Sequence, residues 1–273
     1  MPPARTSLHQ ILGHQRLWAR NRGLELALPD HTRDWRDNLL LPLSDAAKTA
    51  LATHPHQPLG ESGKPADLSR LHSSLALVCN SLDPWSVQEA QTLADCVGAA
   101  AGASEVALAP VLEEGVEEGG DPVVAHALFT GKTARPTVLV ASFAEPYDQP
   151  ETRAVATESR DPEPLPGCAL LEADQRAQPR RFASLGVAQL LACARASTRR
   201  HGERGFRLVY VWYDAADTIA RQHRAEIDRF RMRVGGEVEF HSATWQQVIG
   251  QMRERVVAHR GVVLALTERY LRR

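Results

Sequence analysis

The chain has 273 residues, 32 Lys and Arg against 33 Asp and Glu for a formal charge of -1, and an apolar fraction of 43%. That length and apolar content support a sizeable core that folds by itself, and the balanced charge excludes the global basic field that announces nucleic-acid binding, so any polyanion site is a local patch. The start, MPPARTSLHQ, lacks the apolar core of a signal peptide, and no apolar run approaches the roughly 20 residues of a membrane helix, so a soluble cytoplasmic protein is expected.

Residues 1 to 67 read as an N-terminal helical and loop extension, and residues 68 to 273 as one α/β domain. In the extension, Arg16, Arg20, Arg22 and Arg33 fall near Trp18 and Trp35. The composition suits a phosphate-and-stacking surface, and equally a solvated face with anchoring aromatics. The stretch HPHQPLGESGKPAD reads as a surface loop; His54 and His56, two positions apart, cannot share a helix face, which argues against a metal role. Cys79, Cys96, Cys168 and Cys193 are widely separated and form no C-x-x-C pair, so they read as buried free thiols.

From Leu68, LSRLHSSLALVCNSL repeats apolar residues at helical intervals and Asp83-Pro84 ends the run. A second helix is expected over Ser86 to Ala101, with Ser86 as cap and Glu89 as its capping-box partner. Glu105 to Pro110 is a strand candidate. The stretch EEGVEEGGD, with Glu113, Glu114, Glu117, Glu118 and Asp121, offers the oxygen ligands a divalent cation wants, while its glycines read as a flexible acidic loop. DPVVAHALFT is another plausible strand. Val138 to Ala141, short and apolar between Pro136 and Pro146, has the punctuation of a buried strand.

Residues 148 to 181 read as a long polar connection. LGVAQLLACARAST is an amphipathic helix with Leu185, Ala188, Leu191 and Ala192 at helical spacing and Gln189 on or beside the same face. Phe206 to Tyr213 is rich in β-branched and aromatic residues and reads as a strand, with Tyr210, Trp212 and Tyr213 more often core than base-stacking. Residues 216 to 233 form a charged helix, Val238 to Ser242 a short strand, and Thr244 caps a further helix. Alternating strands and helices predict a partly parallel sheet covered on both faces, an α/β fold.

Taken in order, SFAEPYDQP, LPGCALLEADQRAQPRRFASLGVAQLLACARA, GFRLVYVWYDA and HRAEIDRFRMRVGGEVEFHSATWQQV resemble a bacterial family of restriction-endonuclease-like proteins in the PD-(D/E)XK nuclease-like superfamily. The resemblance spans residues 68 to 270. It implies a restriction-endonuclease-like core, a central mixed sheet flanked by helices, and Mg²⁺-dependent phosphodiester hydrolysis through an Asp that starts one strand and a Glu-x-Lys pair on the next. In register, Val140 stands at the Glu and Ser142 at the Lys. Valine cannot ligate Mg²⁺ and serine carries no charge, so the resemblance implies a nuclease-fold protein with impaired or lost hydrolysis, acting on or binding nucleic acid, DNA foremost. A non-catalytic module that binds a protein partner is the alternative. The residues left for the chemistry are Glu145 as catalytic group and displaced metal ligand, Asp121 as a second ligand, and Gln189 lining the site. Lys132, Arg135, Arg180 and Arg181 are the expected phosphate contacts. The core survives the loss if the Asp121 to Thr130 segment pairs in place of the missing strand.

Overall fold

The structure is a computed structural model that describes residues 7–60, 65–114, 122–148 and 165–271. In chain order the helices are α1 (Ser7–Asn21), α2 (Asp45–Ala52), α3 (Ser74–Leu82), α4 (Ala90–Val97), α5 (Pro166–Ala177), α6 (Val187–His201), α7 (Thr218–Val234), α8 (Trp245–Arg255) and α9 (Arg260–Leu266). The strands are β1 (Leu26–Leu28), β2 (His31–Thr32), β3 (Glu105–Leu108), β4 (Val111–Glu113), β5 (Val123–Val124), β6 (Ala127–Thr130), β7 (Thr137–Ser142), β8 (Arg207–Trp212) and β9 (Glu239–Thr244). No helix among the described residues is long and apolar enough to cross a membrane.

Five strands form the central sheet in the order β3-β6-β7-β8-β9. β3, β6 and β7 pair antiparallel, and β7, β8 and β9 pair parallel, so β7 is where the sheet changes sense. Parallel neighbours require crossover connections, and α6 and α7 supply them between β7, β8 and β9. All six positions of β7 are buried. A strand whose two faces are both covered reads as an unbroken apolar run, which is the pattern Val138-Leu139-Val140-Ala141 shows; α3 and α6 both pack against it. The segment ending at Thr130 does pair with this strand: Ala127 lies opposite Leu139 and Phe129 opposite Thr137. The connection between them turns at Gly131, where a Cβ would stand 2.0 Å from the Gly102 carbonyl oxygen, so no side chain fits.

Three expectations are corrected. Leu68 to Ser73 is not helical: a single turn over Asp67–Ser69 and an isolated bridge from Arg70 to His31 precede α3, whose cap is Ser73 accepting the Ala76 N–H. Ser86 does not cap α4, because its hydroxyl donates to the Asp83 carbonyl, and Glu89 accepts from the Val257 and Ala258 N–H groups instead of closing a capping box. The polar connection contains α5, whose apolar anchors Cys168 and Leu171 are too few to stand out from PGCALLEADQRA. Thr244 does cap α8. Its hydroxyl accepts the Gln247 N–H at 3.2 Å while the Gln247 side chain accepts the Thr244 N–H at 2.8 Å. Replacing Thr244 with Ala is expected to lower unfolding stability by about 1 kcal/mol in a urea titration, the usual value of such a cap.

One hydrophobic core runs through the molecule, joining Ile11, Leu39 and Leu51 to Leu77, Phe129, Val140, Leu191, Val209 and Ile249. The two ends of the chain are tied by Arg269, which is fully buried. Its guanidinium donates to the Gln15 side chain at 3.0 Å, the Asn38 carbonyl at 2.7 Å, the Asn38 side chain and the Leu71 carbonyl at 3.3 Å. It stacks 3.8 Å from the Trp18 ring centroid and 4.7 Å from that of Tyr270. Among the described residues no carboxylate forms a salt bridge with it. Neutral acceptors and π faces share its charge, and burial pulls its pKa down to about 10.

Candidate functional site

The sequence pattern placed chemistry at the carboxyl end of β7, and there Glu145 is the first charged group. It opens a short turn, Glu145–Tyr147, right after the strand. Its carboxylate accepts the Ser74 hydroxyl at 2.6 Å, the Ser142 hydroxyl at 3.1 Å and the Phe143 N–H at 2.7 Å. Ser74 in turn accepts the Phe143 N–H at 2.7 Å, so α3 and the strand exit are stitched together through one carboxylate. This is a turn-fixing arrangement whose lone pairs are largely spoken for. Removing it by Glu145→Ala is expected to cost about 1–2 kcal/mol of stability, measured by thermal unfolding.

The positions that would hold a metal can be read from the pairing of β6 with β7. The Asp of the expected pattern starts the strand beside the Glu-x-Lys strand, and here that start is His126-Ala127. His126 donates its backbone N–H to the Leu139 carbonyl at 2.9 Å, and its Nδ1 accepts the Ala141 N–H at 3.2 Å. Burial drives its pKa down to about 4, so at neutral pH it is an uncharged hydrogen-bond acceptor locked onto the β7 backbone. Across from it, Val140 is buried and Ser142 is engaged with Glu145. Neither the expected Asp position nor the expected Glu position carries a carboxylate, Ser142 brings no positive charge to the expected Lys position, and the donor set does not fit Mg²⁺. No group of three His, Cys, Asp or Glu side chains suited to a metal occurs among the described residues. Asp121, Glu117 and Glu118 lie outside the described residues; Glu113 is bound by Arg199 of α6.

Behind Ser142 runs a buried polar chain that the sequence did not announce. Tyr210, hydrogen-bonded to Ser142, reaches His223 Nε2 at 3.0 Å, and His223 Nδ1 lies 3.0 Å from the Ser184 hydroxyl. Ser184 donates to Glu226 at 2.9 Å. Glu226, 2% exposed, also accepts the N–H groups of Ala183, Ser184 and Leu185 at 3.0, 3.0 and 2.8 Å. The carboxylate thereby fixes the loop that leads into α6, doing for that helix what a capping side chain would. Desolvation drives the His223 pKa down to about 3. Neutral His223 satisfies both of its own links if Tyr210 donates to Nε2 and Nδ1–H donates to Ser184. Trp212 packs edge-on against the imidazole with centroids 4.9 Å apart, so Tyr210 and Trp212 are core groups, whereas Tyr213 is partly exposed.

The expected surface residues disperse. Gln189 is exposed on α6. Lys132 and Arg135 lie in the turn before β7, at the opposite end of the strand from Glu145, and a six-residue strand separates its ends by about 17 Å. Arg135 is paired with Glu239, and Arg181 with Asp174 at 3.2 Å; the Arg180 side chain lies outside the described residues. Near Trp35, an open groove of about 710 Å³ contains Arg33 and Arg36, already paired with Glu25 at 2.9 Å and Asp34 at 3.1 Å. Cys79, Cys96, Cys168 and Cys193 are buried and free, and burial lifts the Cys193 thiol to about 12, so they are inert.

What sequence reading passed over is the outer face of α7. Arg221, Arg224, Arg231 and Arg233 are exposed there against a single exposed carboxylate, Asp228. The periodicity of TIARQHRAEIDRFRMRV contained this signal: Ala220, His223, Ile227, Phe230 and Val234 take the inward positions, which puts the arginines outside. Arg224 meets Asp214 at 2.5 Å, Arg231 meets Asp228 at 3.0 Å and Arg233 meets Asp174 at 3.1 Å, while Arg221 donates to the Thr218 hydroxyl at 3.1 Å and meets no carboxylate among the described residues. No family model, no curated protein and no solved structure matches this chain.

Proposed function

We propose that the chain is a non-hydrolytic module with a restriction-endonuclease-like core that binds nucleic acid, DNA foremost, through backbone phosphates. The observation that carries the reading is the set of exposed arginines on α7, Arg221 with no carboxylate partner among the described residues and Arg224, Arg231 and Arg233 each beside one, on a chain whose total charge is -1. The mixed sheet supports the fold, since β6 lies beside β7 as the Asp-bearing strand should lie beside the Glu-x-Lys strand. His126 and Val140 in place of the two expected carboxylates, and Ser142 in place of the expected Lys, support the absence of hydrolysis. Phosphate binding by arginine releases counterions, so affinity should fall steeply with salt.

The test is fluorescence anisotropy with duplex and single-stranded DNA over a salt series, alongside incubation of plasmid with the protein in Mg²⁺ or Mn²⁺. Wild-type protein should bind and leave the plasmid intact. Replacing Arg221, Arg224 and Arg231 together with Ala should lower the slope of log affinity against log salt by about 2 to 3. Absence of DNA binding, or cleavage by wild-type protein, would refute the reading. Met232, 77% exposed among these arginines, favours a protein partner as the second reading, because Met and Arg are enriched at protein interfaces. Under that reading the same variants leave DNA affinity unchanged.

A further inference from the structure

A helix lying on a core normally turns an apolar face toward it. On α1 the buried face is Ser7, Ile11, Gln15, Trp18 and Ala19, with His14 half-buried and Gln10 exposed beside it; Ser7, Gln10, Ile11, His14 and Gln15 together line a cavity of about 260 Å³. Four of those five side chains are polar. The floor is Phe143 just past β7, Tyr213 and Ala215 just past β8, and Tyr270. Phe143 meets Tyr213 and Tyr270 edge-on, with ring centroids 5.2 and 5.4 Å away. The cavity thus combines an aromatic floor with a hydrogen-bonding roof. It sits at the carboxyl ends of the parallel strands, where α/β sheets hold their ligands.

Hydrogen-bonding side chains over an aromatic floor offer a ligand both a stacking face and edge contacts. Two of the four have structural partners. Gln15 donates to the Arg269 carbonyl at 2.9 Å and accepts from its guanidinium, and Ser7 donates to Asp217. His14 uses Nε2, 3.3 Å from the Glu268 carbonyl, which leaves Nδ1. Gln10 presents an amide with both donor and acceptor capacity. The volume lies below the roughly 300 Å³ at which drug-sized pockets begin, so it suits one or two planar rings. The Asp217 carboxylate at the edge disfavours an anion, and the amide and imidazole disfavour a pure hydrocarbon. A flat heteroaromatic ring with donors and acceptors on one edge meets all three conditions.

We propose that this cavity receives a nucleobase, stacked against the Tyr213 and Phe143 side of the floor with its polar edge toward Gln10 and His14. The proposal rests on the nucleic-acid reading for the source of the base. Tyr213 and Ala215 belong to the loop that enters α7 at Asp217, its cap, and Arg221 and Arg224 follow within two turns. A strand whose phosphates lie on those arginines can therefore turn one base into the cavity. Unstacking a base costs a few kcal/mol in a duplex and least in a single strand, so single-stranded DNA is the favoured source, with the free base as the other.

The experiment uses the full chain and 2-aminopurine, whose emission reports its stacking environment. Three probes are titrated: free 2-aminopurine, a short single-stranded oligonucleotide carrying one 2-aminopurine, and the same oligonucleotide with an abasic site at that position. The proposal expects the base-bearing strand to bind about tenfold more tightly than the abasic one, the loss of one stacked base, with an emission change absent in Gln10→Ala and His14→Ala. Gln10 is exposed, so Gln10→Ala keeps the fold and serves if His14→Ala does not. Binding of the free base alone, sensitive to Gln10→Ala, keeps the cavity assignment and removes the strand as its source. Equal, salt-dependent binding of both strands without any emission change overturns the cavity assignment while the phosphate-binding reading stands. No binding of any probe overturns both.

Discussion

Replacing Arg269 with Ala is expected to cost about 4–6 kcal/mol of stability and to leave the protein largely unfolded or insoluble. The substitution strands three buried acceptors, the Asn38 side chain, the Gln15 side chain and the Leu71 carbonyl, and leaves the Asn38 carbonyl with only the Asn80 amide at 3.1 Å; a stranded acceptor is worth about 1–3 kcal/mol. It also removes two cation–π contacts from Trp18 and Tyr270. A folded domain holds only about 5–15 kcal/mol in total. Arg269→Lys should recover less than half of the loss, because a compact ammonium cannot reach acceptors spread around a planar fork. Urea unfolding of the two variants decides it, and a loss under about 1 kcal/mol for Arg269→Ala would show that the acceptors find other donors.

Acid should unfold the protein early, and His223 is the main reason. In the folded state its pKa is about 3, held down by desolvation, while an unfolded histidine takes a proton near its ordinary value of 6.5. As pH falls below that value the unfolded chain gains a proton the folded chain refuses, so stability drops across the window from 6.5 to 3. At pH 5 the loss from this residue is about 2 kcal/mol. His126, with its pKa near 4, adds in the same direction. His223→Gln keeps a donor and an acceptor for Tyr210 and Ser184 without the titration. Its stability at neutral pH should be lower, but the slope of stability against pH between 6 and 5 should shrink by about 1.4 kcal/mol per pH unit. An unchanged slope would show that His223 is not the group responsible.

The parts of the fold that could be read from the sequence are those whose burial is uniform. β7 and β8 are covered on both faces, so Val138 to Ala141 and Phe206 to Trp212 announce themselves as apolar runs. Thr244 and Gln247 form a cap within one turn, and such contacts are written locally. By contrast, α5 buries Cys168, Leu171, Glu172 and Gln175, a half-polar face, because Arg176 and Arg195 reach Glu172. No periodicity in hydrophobicity shows that helix. Around the candidate site, the buried strand that carries Val140 and Ser142 was legible and the side-chain partners were not: the partner of Glu145 is Ser74, 71 positions away, and that of Arg135 is Glu239, 104 positions away. Which charges remain available for a ligand is set by such distant pairings.

The Arg269 clasp also bears on how quickly the fold comes apart. Its contacts join positions separated by 254, 231 and 198 residues, Gln15, Asn38 and Leu71. Loops of that length close last, after the sheet has brought the ends of the chain together. Interactions formed after the rate-limiting step leave the folding rate unchanged and set the unfolding rate. The residue therefore acts as a latch on a finished structure: a weakened latch such as Arg269→Lys should shorten the lifetime of the folded protein while it still folds at the wild-type speed.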